Sequence, residues 1–172
     1  LTHVHLDHAG GAGQLMRALP NPRAVLHPRG APHMLDPAKL IAGTIMVYGE
    51  QTFRQLYGQI LPIDPERVLI TQDGRRLSLA GREFEFLHTP GHALHHQAIR
   101  DCGTGCIFTG DTFGVSYRKF DVDGRAFVMP TTTPTQFDPA QLQASIKRIV
   151  DARPAALYLT HYSRVTGVER LA

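Results

Sequence analysis

The chain of 172 residues contains no tryptophan and only two cysteines. Two cysteines cannot staple a small domain, so stability must come from burying apolar side chains. Nothing in the sequence approaches the run of roughly 18 apolar residues that crosses a membrane. Nor is there a basic run of five or more residues, and 18 Lys and Arg stand against 15 Asp and Glu, a net charge of +3. That balance leaves no electrostatic footprint for nucleic acid, so we expect neither a nucleic acid nor a membrane partner, only a small-molecule substrate. Charged residues are 19% of the chain and hydrophobic ones 42%, a composition that argues against disorder. The length suits one domain, expected to span residues 1–172. The chain opens at Leu1 with its strongest motif starting at residue 2, which reads as a fragment lacking its upstream part. No leader is visible, and the expected location is the cytoplasm. What the chain has in excess is histidine, ten residues in all.

Apolar periodicity outlines the elements. Residues 1–8 read as a strand end entering a loop. Gly10-Gly11-Ala12-Gly13 leads into a short helix over 14–19, stopped by Pro20, and 23–27 is a short strand. Between 28 and 66, Ile41, Ile45, Tyr48 and Thr52, then Phe53, Leu56, Tyr57 and Ile60, recur at three- and four-residue spacing. This predicts two helices meeting near Gly49. Met46, Tyr48, Phe53 and Tyr57 read as core at this spacing, with the lining of a substrate cavity as the sharper alternative. Strands follow at 68–71, 76–79 and 83–88, with Gly74 and Gly81 as turns, and a hairpin over 95–100 and 106–109. Residues 111–136 form a long Pro- and Thr-rich connection, uncommon unless it serves a site. Asp138 and Pro139 open a helix whose stripe is Leu142, Ile146, Ile149 and Val150. Residues 156–160 form the last strand. Intermixed strands and helices without repeats predict a layered α/β architecture.

The histidines are not scattered at random. In Thr2-His3-Val4-His5-Leu6-Asp7-His8, an extended backbone puts His3 and His5 on one side, where they can chelate one ion. Asp7 and His8 lie just beyond, before a glycine-rich turn. Four ligand-type side chains in six residues exceed what one tetrahedral ion takes from a single short segment, which points to two neighbouring ions. Imidazole and carboxylate donors suit zinc, iron or manganese rather than calcium or magnesium. His92, Asp111 and His161 repeat one placement: each stands where an apolar strand gives way to a loop, the usual address of a functional group on a sheet scaffold. His27, His33 and His88 stand outside the pattern and read as ordinary histidines.

The segment from Thr2 to His8 resembles the HxHxDH signature of the metallo-β-lactamase superfamily. Pro90-Gly91-His92, Gly110-Asp111 and Thr160-His161 resemble its later motifs in the same order, so the likeness runs from residue 2 to about 165. The resemblance implies an αββα metallo-β-lactamase sandwich, here incomplete at the N-terminus. It implies that His3, His5 and His92 hold one metal, that Asp7, His8 and His161 hold a second, and that Asp111 bridges them. Zinc is the expected metal, with iron or manganese as alternatives. In such a centre a hydroxide held between two ions is the nucleophile, and Asp7 is the catalytic candidate that orients it or carries its proton. Asp111 stands where the true β-lactamases carry cysteine or serine, and it resembles the glyoxalase II, lactonase and ribonuclease Z branches. His5 stands where flavo-diiron proteins carry glutamate. The expected activity is hydrolysis of a small ester, lactone or thioester; the alternative is a non-flavin diiron redox or oxygen-binding protein. Tyr117, Tyr162 and Arg164 are candidates for binding substrate, against blander readings as an exposed loop tyrosine and a solvated charge. His96 lies four residues after His92, and with His95 it reads as either a support for the ligands or a structural residue. Cys102 and Cys106 read as free thiols.

Overall fold

Short apolar runs dominate the first 71 residues, and two of them become strands. In the computed structural model, which describes residues 1–172, β1 (Ala24–Leu26) and β2 (Val68–Ile70) pair in parallel, with Ala24 opposite Val68. Five helices precede or separate them: α1 (Leu6–Ala9), α2 (Ala12–Ala18), α3 (Ala31–Leu35), α4 (Ala38–Tyr48) and α5 (Glu50–Tyr57). Contacts divide the chain into two compact units, one comprising Leu1 and His3–Thr71, the other Thr2 and Gln72–Ala172.

The first unit buries Val4, Ala9, Met16, Leu26, Met34 and Ile63 in one cluster and Leu6, Phe53 and Ile60 in another. Arg67 ties its loops together by donating to the carbonyls of Met16, Leu19 and Pro22. The helices α4 and α5 meet at Gly49, whose φ of +80° suits glycine. Three expectations need correction here. The segment after His5 is not a loop: Leu6–Ala9 forms a helical turn, with His5 O accepting from both His8 N and Ala9 N. The next helix starts at Ala12, two residues before the expected position, and Gly13 in its first turn lies so close to Leu61 that no side chain fits there. Met46 and Tyr48 are not core: they are 87% and 52% exposed, and α4 has no buried residue. The apolar side chains of α4 are spread around the helix instead of gathered in one stripe, so spacing alone misassigned them.

Alternation governs the second unit. β3 (Arg75–Leu79), β4 (Arg82–His88), β5 (Gln97–Asp101), β6 (Ile107–Gly110), β7 (Leu157–Leu159) and β8 (Ser163–Val165) form one sheet in chain order. All neighbours are antiparallel except β6 and β7, which α6 (Pro139–Asp151) connects as a crossover. Asp138 caps α6, its Oδ1 accepting from Gln141 N at 3.0 Å, and Pro139 occupies the first helical position. Ile149 on α6 packs with Ala98, Ile107, Leu157, Leu159 and Val165 of the sheet in one buried apolar cluster. The strand ending at Leu159 is not the last element, as expected from the sequence; β8 and a final turn, α7 (Val168–Leu171), follow it. Cys102 and Cys106 are both free. No helix is long and apolar enough to cross a membrane.

Candidate metal centre

Each unit carries its own set of ligand-type side chains. In the first, His3 is buried and its Nε2 lies 3.1 Å from His5 Nδ1. The helical turn α1 brings His8 back over the same residues, with its ring centroid 4.0 Å from that of His3. Asp7 Oδ2 lies 3.2 Å from His8 Nε2, and the Asp7 side chain is half-exposed. A helical turn achieves here what the expected loop was meant to do: it folds Asp7 and His8 towards the pair that precedes them.

In the second unit the donors come from distant points of the chain. His92 follows the Pro90-Gly91 turn after β4. Gly91 has φ +128°, and a Cβ on it would sit 2.3 Å from Leu142 N, so only glycine lets α6 approach this turn. Asp138 N donates to Gly91 O at 2.8 Å and Ser145 Oγ to Pro90 O at 2.6 Å, which locks α6 against the backbone carrying His92. Asp111 leaves β6 just after a register shift between Phe108 and Gly110, the kind of irregularity that redirects a strand end. His161 leaves β7, and Ser116 N holds its carbonyl at 3.2 Å. The result places one oxygen, Asp111 Oδ2, 3.5 Å from His92 Nε2 and 3.5 Å from His161 Nε2. His92 and Asp111 are buried, while the His161 side chain is 35% exposed.

These spacings fit metal ligation. Donors about 2.0–2.2 Å from a shared tetrahedral ion stand about 3.4 Å from one another. A direct charge-assisted bond between imidazolium and carboxylate is shorter, about 2.7–2.9 Å. The 3.5 Å separations around Asp111 Oδ2 match the first arrangement better than the second. A buried carboxylate also requires a compensating positive charge, which a divalent ion supplies.

Tyr117 and Tyr162, both taken as substrate-binding candidates, do come together: their ring centroids are 4.8 Å apart. Tyr162 follows His161 directly, is 55% exposed and has φ +73°, and Ser163 after it has φ +94°. Two successive non-glycine residues in this region are strained, a feature that gathers at functional sites. Arg118 holds the bend by donating to Ser163 Oγ and to Arg164 O. The aromatic row continues through Phe120, 6.0 Å from Tyr117, to Phe127, 5.5 Å further on. Arg164 lies in β8 and is exposed. Sequence reasoning missed Phe120 and Phe127, whose only signal is their place in the long loop. It also missed Thr89 and Thr112, which grip His96.

A model of the metallo-beta-lactamase superfamily matches residues 1–161. The chain belongs to that superfamily. Among its relatives is a metallo-beta-lactamase fold-containing protein, ST1585, of Sulfurisphaera tokodaii, 27% identical over 94% of this chain and 58% of its own length. The crystal structure of this archaeal superfamily protein superposes with a TM-score of 0.82 at 24% identity, covering 99% of this chain and 63% of that one, a likeness of fold. A hydroxyacylglutathione hydrolase of Pseudomonas aeruginosa is 32% identical over 69% of this chain and 42% of its own length. TTHA1623, solved in a di-iron-bound form, is 29% identical with a TM-score of 0.66, over 99% of this chain and 72% of that one. The chain thus spans about half the length of the curated relatives it matches. The metallo-β-lactamase fold expected from the motifs is the fold of this superfamily member, and its relatives include a hydrolase.

Proposed function

We propose that the chain is a dinuclear metal-dependent hydrolase of small ester, lactone or thioester substrates. The observation that carries this reading is the position of Asp111 Oδ2, a buried carboxylate oxygen 3.5 Å from each of two imidazole nitrogens. In this reading His3, His5 and His92 would hold one ion, Asp7, His8 and His161 would hold a second, and Asp111 would be a ligand to both. Two close divalent ions lower the pKa of water towards neutrality and polarise a substrate carbonyl. Asp7, half-exposed, takes the proton released from water on its carboxylate and passes it to solvent or the leaving group. Tyr117 and Tyr162 seat the acyl portion of the substrate beside His161, and Arg164 offers a cation to a carboxylate on it.

Zinc is the first choice of metal, on the imidazole-rich donor set. The di-iron form of TTHA1623 favours iron as the second. Non-flavin diiron chemistry on the same ligands is the competing reading. Metal content and the absorption spectrum of aerobically purified protein separate the two: a colourless protein with about two zinc ions supports the hydrolase, and a near-ultraviolet and visible band with bound iron supports the competitor. Uptake of no ion by the protein with His3 and His92 intact would overturn both. Within the hydrolase reading, Asp111→Ala should reduce turnover of a lactone or thioester by more than about 100-fold, beyond the loss seen for mere partners of ligands. It should also change the metal ratio, and an unchanged ratio refutes the bridging role.

A further inference from the structure

A fully enclosed imidazole stands behind Asp111 and is not among the ligand-type donors. His96 has no exposed surface, and it sits in the turn between β4 and β5. Its ring is held on both sides. On one, Nε2 lies 3.1 Å from Asp111 N. On the other, Nδ1 lies 2.8 Å from Thr89 Oγ1 and 3.0 Å from Thr112 Oγ1. A backbone N–H can only donate, so Nε2 must present its lone pair and Nδ1 carries the ring proton. The threonines complete this assignment: Thr112 Oγ1 donates to Thr89 O at 3.3 Å, which leaves its lone pairs for Nδ1–H. The backbone of His96 is fixed too, because Thr89 N donates to its carbonyl at 3.0 Å. Gly110 closes the arrangement. It has φ +54°, and a Cβ there would lie 2.4 Å from His96 Nε2. The chain has a gap at residue 110 shaped to let this imidazole reach the next amide.

We infer that His96 is a positioning residue for Asp111: its Nε2 fixes the backbone amide of Asp111 and thereby aims the carboxylate that lies between His92 and His161. Packing alone does not require this arrangement, since an apolar ring of the same size would fill the space but leave the Asp111 N–H buried without its acceptor. The inference rests on the reading of Asp111 as a metal ligand.

Two substitutions separate aiming from packing. In His96→Gln the amide oxygen reaches the place of Nε2 and can still accept from Asp111 N–H. In His96→Asn the polar end reaches only the place of Nδ1, satisfying the threonines and abandoning Asp111. The full chain should be titrated with zinc in competition with a chromogenic chelator, and amide hydrogen exchange at Asp111 should be measured on the metal-free protein. We expect His96→Asn to weaken the uptake of zinc by about 10–100-fold, in the range for partners of metal ligands. Asp111 exchange should accelerate in the same variant, and His96→Gln should stay near the parent in both respects. Equal losses in the two variants, or none in His96→Asn, overturn the inference. If the parent protein itself binds neither zinc nor iron, the dinuclear reading falls, and the exchange measurement decides alone: acceleration in His96→Asn but not in His96→Gln supports the His96 placement, and unchanged exchange refutes it.

Discussion

The two compact units supply their ligand-type residues in opposite ways. The first offers His3, His5, Asp7 and His8 from one short segment, folded by a single helical turn in which His5 O accepts from His8 N and Ala9 N and Leu6 O accepts from Gly10 N. The second offers His92, Asp111 and His161 from three strand ends, each held by a different device: a glycine turn under α6, a register shift within β6, and a strained bend entering β8. A local cluster needs little scaffold, whereas a dispersed one is only as accurate as the sheet and helix that carry it. Substitutions at residues that are not themselves ligand-type should therefore disturb the placement of the donors more in the second unit than in the first.

The largest expected effect is at Gly91. Gly91→Ala forces a side chain against the backbone of Leu142 at a φ unfavourable to alanine, and should cost about 4 kcal/mol of stability in a urea unfolding experiment. It should also weaken metal uptake although residue 91 is not a ligand; full retention of metal affinity would break the contrast between the units. A smaller effect concerns acid. Asp101 is held to a pKa of about 2 by hydrogen bonds from Thr104 and Arg82, with Gly103 N adding a third. Its folded value lies below the ordinary 3.8, so its contribution is complete above about pH 4 and disappears as pH falls towards 2. The melting temperature of Asp101→Asn should accordingly fall less steeply between pH 4 and 2 than that of the parent, and parallel curves would remove Asp101 from the account. The smallest effect is expected in the first unit. Met46→Gln alters a side chain that is 87% exposed, and its unfolding free energy should stay within about 0.5 kcal/mol of the parent. A larger loss would show that α4 is covered by something in solution.

The same contrast explains what was legible beforehand. The first set of ligand-type residues can be read from adjacent letters, because its donors follow one another at the spacing that lets them share an ion. His92, Asp111 and His161 were legible only through their shared placement after apolar runs and through family resemblance. The α6 cap at Asp138 and its stripe were plain because amphipathic order is a local property. The exposure of α4 was not, because a helix with apolar residues on every side carries no mark of which side, if any, is covered. The hold on Asp111 was hidden for another reason: His96, Thr89 and Thr112 meet across three segments, and no spacing along the chain announces a hydrogen bond of that kind.

The crossover between β6 and β7 also bears on the order of events in folding. The antiparallel hairpins of β3, β4 and β5 close short loops and can form early. Asp111 and His161, at the ends of the one parallel pair of the six-stranded sheet, must wait until the long connection and α6 have been ordered, because the entropy of closing that loop is lost before any contact between the strands is gained. The dispersed ligand-type set is thus expected to assemble late, and a newly made chain would form the His3 to His8 cluster before Asp111 and His161 come together.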